Sequence, residues 1–188
     1  MNLDLRSVSL VLRKQAKAAF ESGGILGLFT LVGHEQRANL LEDNFRLLLD
    51  RGLYEEALII TYTHGPSLTP MEWRKFFGLA DVIKLRGFGA PIPDGRFLVY
   101  RGIADTGHRK FIRGLSWTKN PGIAAWFATR KARVGFNPVV YSMEITLQEV
   151  LFATDERSEE EIVVAAWYMQ KIKKLKILPE PYRAVDGS

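Results

Sequence analysis

Three short segments of the chain hold residue types that can do chemistry together. They are Val99-Tyr100-Arg101-Gly102, Gly114-Leu115-Ser116-Trp117-Thr118, and the acidic run Asp155-Glu156-Arg157-Ser158-Glu159-Glu160-Glu161 ahead of Ile162-Val163-Val164. In the first, an apolar strand is expected to end in an arginine followed by a glycine. A guanidinium there can fork two hydrogen bonds onto phosphate or carboxylate, and the glycine lets a ligand approach the backbone closely; an ordinary strand-end charge has the same pattern. In the second, Ser116 and Thr118 share a strand face by two-residue alternation while Trp117 points to the other, which also describes a pair of hydroxyls on a half-buried sheet. In the third, Glu159 and Glu161 project on one face and Glu160 on the other if the strand starts that early; acidic residues before an apolar strand also make plain solvated loops. Two carboxylates on one face repel, so one must be held by a hydroxyl or an arginine, or else its pKa must rise. Such a pair suits a site that stabilises positive charge.

Other chemistries are excluded or weak. The chain of 188 residues has no cysteine, which removes disulfides, thiolate nucleophiles and cysteine-ligated zinc. Its three histidines, His34, His64 and His108, show no metal-ligand spacing; His108 follows Arg101 in a loop and is a possible cleft residue or a plain loop histidine. Gly87 and Gly89 open no helix of a dinucleotide fingerprint, and no phosphate-loop lysine motif occurs. Lys+Arg number 26 against 21 Asp+Glu, a net charge of +5, which favours a polyanionic partner or is simply a basic enzyme surface. The remaining basic residues include Arg130, Lys131, Arg133 and the run 171–176, KIKKLK, which reads as a half-exposed edge strand with a basic face.

The elements that must position these residues fall into two textures. Leu5, Val8, Leu12, Ala16, Ala19 and Phe20 recur on one side of a helix stopped by Gly23-Gly24. A second helix is expected over 35–50, burying Leu41, Phe45 and Leu48, and a third over 53–62. A fourth starts with Thr69 as N-cap, Pro70 at its first position and Glu72 completing a capping box, and is expected to run to about 84 or 85 with Trp73, Phe76, Phe77 and Leu79 on its apolar face. After the irregular Gly- and Pro-rich stretch 87–95, strands are expected at 97–100, 115–118, 139–146, 150–154, 162–167 and 172–178. One helix interrupts them, capped by Asn120-Pro121 and carrying Ala124, Ala125, Phe127 and Ala128. Helices first and strands afterwards is the α+β pattern, read as a single domain over 1–188 with a helical region, 1–90, and a β-rich core, 91–188. The N-terminus carries charges at Asp4, Arg6 and Arg13 where a signal peptide needs an apolar run, and the most apolar stretch, 23–33, is short of a bilayer span. A cytoplasmic protein with no membrane partner is expected, and a substrate of a signal-less secretion system has the same features.

The order arginine, Ser-x-Thr, then Glu-x-Glu before an apolar strand resembles the arginine-serine-glutamate class of ADP-ribosyltransferases. That class includes clostridial binary toxins, phage-encoded modifying enzymes and vertebrate arginine-specific ectoenzymes. The resemblance spans Phe97 to about Trp167; GLSWTKNPGIAAWFATR is similar to the family's central strand and following helix, and VVYSMEITLQEVLFATDERSEEEIVV to the stretch leading to its catalytic strand. A sister class has histidine in place of the arginine, and none of the three histidines ends an apolar strand ahead of Ser116. The resemblance implies a mainly antiparallel two-sheet core and a reaction that moves ADP-ribose from NAD, used as a substrate without a metal, to a macromolecule. It implies that Arg101 grips the NAD phosphates, that Gly102 offers backbone hydrogen bonds to the nicotinamide amide, and that Ser116 orients the catalytic Glu161. Thr118 would hold the strand region in shape, Glu159 would position or deprotonate the acceptor, and Phe127 would line the nicotinamide pocket. Glu-x-Glu resembles the members that modify protein arginine, whereas the basic balance points to RNA or DNA as acceptor. A toxin-like role would bring an antitoxin or immunity partner, and a catalytically inactive nucleotide- or partner-binding module is the reading outside enzymology.

Overall fold

The computed structural model describes residues 2–105, 112–132, 137–156, 158–165 and 172–175. His108, Arg133, Lys171 and Lys176 lie outside the described residues. The chain divides into two compact units, Met1–Leu85 and Arg86–Ser188.

The first unit is helical: α1 (Arg13–Glu21), α2 (Ile25–Thr30), α3 (Arg37–Asp50), α4 (Tyr54–His64) and α5 (Pro70–Phe77), with α6 (Val82–Gly87) leading onward. Helix α1 buries Ala16 and Phe20 and begins only at Arg13, after a single 3-10 turn at Leu10–Leu12. Helix α2 falls in the apolar stretch 23–33, for which no helix was expected; Ile25, Leu28 and Phe29 are buried there at helical spacing while Leu26 is exposed. Helix α3 buries Leu41 and Leu48 as expected, with Leu47 buried and Phe45 only half-buried. The amide of Asn44, buried on the same helix, accepts from the Asp4 N–H at 2.7 Å and donates to the Asp4 carbonyl at 2.8 Å, stapling the N-terminal segment.

The capping box at Thr69 and Glu72 forms, but the expected long helix is two. Helix α5 stops at Phe77 with Gly78 as its C-cap, Leu79 is exposed, and α6 restarts at Val82. The restart has its own cap, because the Asp81 carboxylate accepts from the N–H groups of Ile83 at 2.9 Å and Lys84 at 3.3 Å. The buried Glu55 carboxylate accepts from the Asp81 N–H at 2.9 Å and fixes that cap in place.

The second unit contains β1 (Arg96–Asp105), β2 (Ser116–Thr118), α7 (Pro121–Lys131), β3 (Asn137–Thr146), β4 (Val150–Thr154), β5 (Glu161–Val164) and β6 (Lys173–Lys174). A helical region followed by an antiparallel β core is therefore present. Where two sheets were expected, the described strands form one six-stranded sheet in the order β4-β5-β2-β1-β3-β6, antiparallel at every pairing. The short β2 is the reason: it pairs with β1 only at Tyr100 and Thr118 and with β5 through three residue pairs, so it joins the β4–β5 pair to the ten-residue β1–β3 ladder.

Trp117, Val99, Met143, Ile145 and Ile162 belong to one buried cluster, and Ala124, Ala125 and Ala128 of α7 pack with Val140 in another. The alanines bring α7 so close to β1 that a Cβ on Gly102 would strike the backbone of Ala124 and lie 2.8 Å from the Ala128 nitrogen. The edge strand β4 is covered rather than left open: the Arg86 guanidinium donates to the carbonyls of Val150 and Leu147, and the Ala90 N–H donates to the Ala153 carbonyl at 2.8 Å. At the other edge, Lys173 and Lys174 are both exposed, so β6 shows charge on neighbouring positions rather than on one alternating face. Among the described residues no helix is long and apolar enough to cross a membrane.

Candidate active site

Arg101 lies inside β1, not at a strand end, because the ladder with β3 continues through Arg101 opposite Tyr141 to Asp105 opposite Asn137. Its guanidinium crosses to β2, where Nη1 donates to the Ser116 carbonyl. It lies against Gly114, where a Cβ would collide with the guanidinium carbon and both terminal nitrogens. The Gly114 carbonyl in turn accepts from the Trp117 indole N–H at 2.9 Å, so a core side chain fixes the wall on which the arginine rests. Gly102 is buried, and the need for a glycine there follows from α7 packing against it, whatever a ligand requires.

The two carboxylates are brought together by a turn. Strand β5 begins at Glu161, so Glu159 and Glu161 do not share a face through strand alternation as expected. Ser158 and Glu160 instead adopt left-handed backbone conformations, with φ of 52° and 46°. Such conformations cost free energy in residues with a Cβ and persist only where surrounding contacts fix them. Thr118 supplies one such contact: its buried hydroxyl donates to the Glu159 carbonyl at 2.8 Å and accepts from the Asn120 N–H at 3.1 Å. The sheet supplies another, since Thr118 stands opposite Glu161 in the β2–β5 register.

A single cleft of about 140 Å³ is lined by Arg101, Gly102, Ser116, Thr118, Phe127, Glu159 and Glu161. All of the site residues chosen from sequence therefore meet at one place. Tyr100, Trp117 and Ala124 complete the lining and were not anticipated there; periodicity marks such residues only as core. The Phe127 ring packs edge-on against Trp126 with centroids 4.9 Å apart, and Trp126 lies under the Arg130 guanidinium at 4.8 Å. Arg130 is thus engaged in a cation–π stack beside the site.

The cleft combines one cation, two carboxylates, the hydroxyl-bearing residues Tyr100, Ser116 and Thr118, and an aromatic wall. Its volume is below the roughly 300–1,000 Å³ typical of sites that enclose a drug-sized ligand, and it has room for one ring system of a larger molecule. Among the described residues no group of three or more His, Asp or Glu side chains is arranged to hold a metal ion. Comparison of the chain with protein-family models, with curated proteins and with solved structures gives no match.

Proposed function

We propose that the protein is a mono-ADP-ribosyltransferase that uses NAD as substrate and modifies a protein arginine. The observation that supports this reading most directly is the convergence of Arg101, Ser116, Glu159 and Glu161 on one cleft from segments up to 60 positions apart in the chain. In this reading the nicotinamide-ribose end of NAD enters the cleft with Phe127 along the ring, and the pyrophosphate pairs with Arg101, whose planar fork suits phosphate better than lysine does. The bond between the ribose C1′ and the nicotinamide nitrogen breaks, and its electron pair leaves with neutral nicotinamide. The sugar becomes oxocarbenium-like, as in glycoside hydrolysis, and the Glu161 carboxylate stabilises that charge electrostatically, with Ser116 orienting it. The acceptor guanidinium nitrogen then bonds to C1′ and Glu159 takes its proton. A departing neutral amide needs no general acid.

The test is incubation of the protein with labelled NAD and a cell lysate. Label in protein that disappears with Glu161→Gln supports the reading. Label in nuclease-sensitive material moves the acceptor to RNA or DNA. Absence of label, together with retained binding of NAD, makes the protein a nucleotide-binding module.

A further inference from the structure

We propose that Asn120 and Glu160 form a positioning pair that fixes the loop carrying both carboxylates, a role that rests on the transferase reading above. Asn120 sits where β2 gives way to α7. Its Oδ1 accepts from the N–H groups of Gly122 at 2.9 Å and Ile123 at 3.3 Å, which caps the helix bearing Phe127. Its Nδ2 donates to the Glu160 Oε1 at 3.3 Å. Capping alone needs only the oxygen, and Asp caps as well as Asn does. The donor is what an amide adds, and here it meets the middle residue of Glu159-Glu160-Glu161.

Glu160, with a left-handed backbone of φ 46°, stands between Glu159 and Glu161, which both line the cleft. It is held on three sides. Its N–H donates to the Asp155 carboxylate at 3.2 Å, its carbonyl accepts from the Lys119 N–H at 3.3 Å, and its carboxylate accepts from Asn120. One amide side chain therefore ties the start of the Phe127 helix to the turn that aims the two carboxylates. Both partners are half-buried, so the bond is shielded in part from competing water.

A swap of the pair tests this. Asn120→Asp keeps the cap but removes the donor and sets two carboxylates against each other. Glu160→Gln keeps an acceptor for Asn120. The double variant restores the bond with its direction reversed, the Gln amide donating to the Asp. Nicotinamide release from NAD at saturation, thermal midpoint and amide hydrogen exchange over residues 158–162 are measured for all four proteins. The expected result is a fall in kcat of about tenfold for Asn120→Asp, faster exchange in the loop, a midpoint lowered by no more than a few degrees, and recovery of both rate and exchange in the double variant, with Glu160→Gln alone close to the parent. Normal exchange in Asn120→Asp, or a defect that Glu160→Gln does not relieve, overturns the proposal. If the parent protein releases no nicotinamide the transferase reading fails, while the exchange data still decide whether the pair holds the loop.

Discussion

The Thr118 hydroxyl donates a 2.8 Å hydrogen bond to the backbone carbonyl of Glu159 across 41 positions of sequence. Thr118 is 5% exposed while Glu159 and Asn120 are half-buried, so this bond is partly shielded from water, and the same oxygen accepts from the Asn120 N–H. A hydroxyl that both donates and accepts at a buried junction holds two backbone groups that have few alternatives there. It also ties the Ser-x-Thr segment directly to the Glu-x-Glu segment.

Replacing Thr118 by valine keeps the shape and removes both bonds. The variant is expected to lose about 1–3 kcal/mol of stability, two hydrogen bonds at about 0.5–1.5 kcal/mol each, with midpoint and slope read from urea unfolding. Thr118→Ser retains the hydroxyl and is expected to stay closer to the parent. Equal losses in the two variants would make the methyl group, not the bond, the source of the effect.

Glu161→Gln separates chemistry from folding. The side chain is half-buried at the start of β5, and an amide of the same size fits its place, so the fold is expected to be retained with a stability change of about 1 kcal/mol or less. The rate of nicotinamide release is expected to fall on the order of 100-fold or more, as when one preorganised charge-stabilising group is removed. A variant that keeps its full rate would remove Glu161 from the mechanism.

The Thr69–Glu72 capping box gives a pH dependence with a definite sign. Hydrogen bonds from the Thr69 hydroxyl and N–H to the Glu72 carboxylate, each 2.7 Å, hold its carboxyl below the ordinary glutamate range. A carboxyl whose folded value is depressed binds protons more readily in the unfolded chain, so the contribution is complete above the unfolded value and is lost as the pH falls through the folded one. Thr69→Ala should flatten that acid-side loss, and chemical unfolding at a series of pH values from neutral to strongly acidic checks it. Parallel curves for the two proteins would assign the acid sensitivity to other carboxyls.

How far the sequence could be read depended on whether a feature was local. Caps at Thr69 and Asn120, with proline at the next position, are local chemistry and appear where expected. Val150–Thr154 is local too, a short apolar run with β-branched and aromatic residues between turns. The split between α5 and α6 rests on signals that are local, Gly78 as C-cap and the Asp81 carboxylate as the next N-cap, and on one that is not, the bond from the Asp81 N–H to Glu55, 26 positions away. The extension of β1 past Arg101 was missed because it is the ladder with β3, not the composition after Tyr100, that keeps the chain extended. At the site, the residue types and, through the family resemblance, their grouping were readable, whereas the turn that carries the two carboxylates was not. The turn at Glu160 depends on Thr118, Lys119, Asn120 and Asp155, and no spacing rule connects the first three of those to the acidic run.

Gly114 offers the sharpest separation of binding from turnover. Its backbone does not need left-handed freedom, since no positive φ is found there, so alanine can adopt its conformation. What alanine cannot do is leave room for the Arg101 guanidinium. That guanidinium is the far end of a flexible side chain and can swing aside, whereas the atoms that would meet a Cβ on Gly102 belong to the backbone of α7 and cannot. Gly114→Ala is therefore expected to leave stability within about 0.5 kcal/mol of the parent while displacing the group assigned to the NAD phosphates. A hydrogen bond to a charged group contributes about 1.5–3 kcal/mol, so KM for NAD should rise roughly tenfold or more, with kcat for nicotinamide release little changed. Arg101→Ala in the same assay should raise KM at least as far, and adding Gly114→Ala to it should do nothing more. A Gly114→Ala protein with unchanged KM, or one whose effect adds fully to that of Arg101→Ala, would detach Gly114 from the arginine and leave its collision with the guanidinium without consequence for binding.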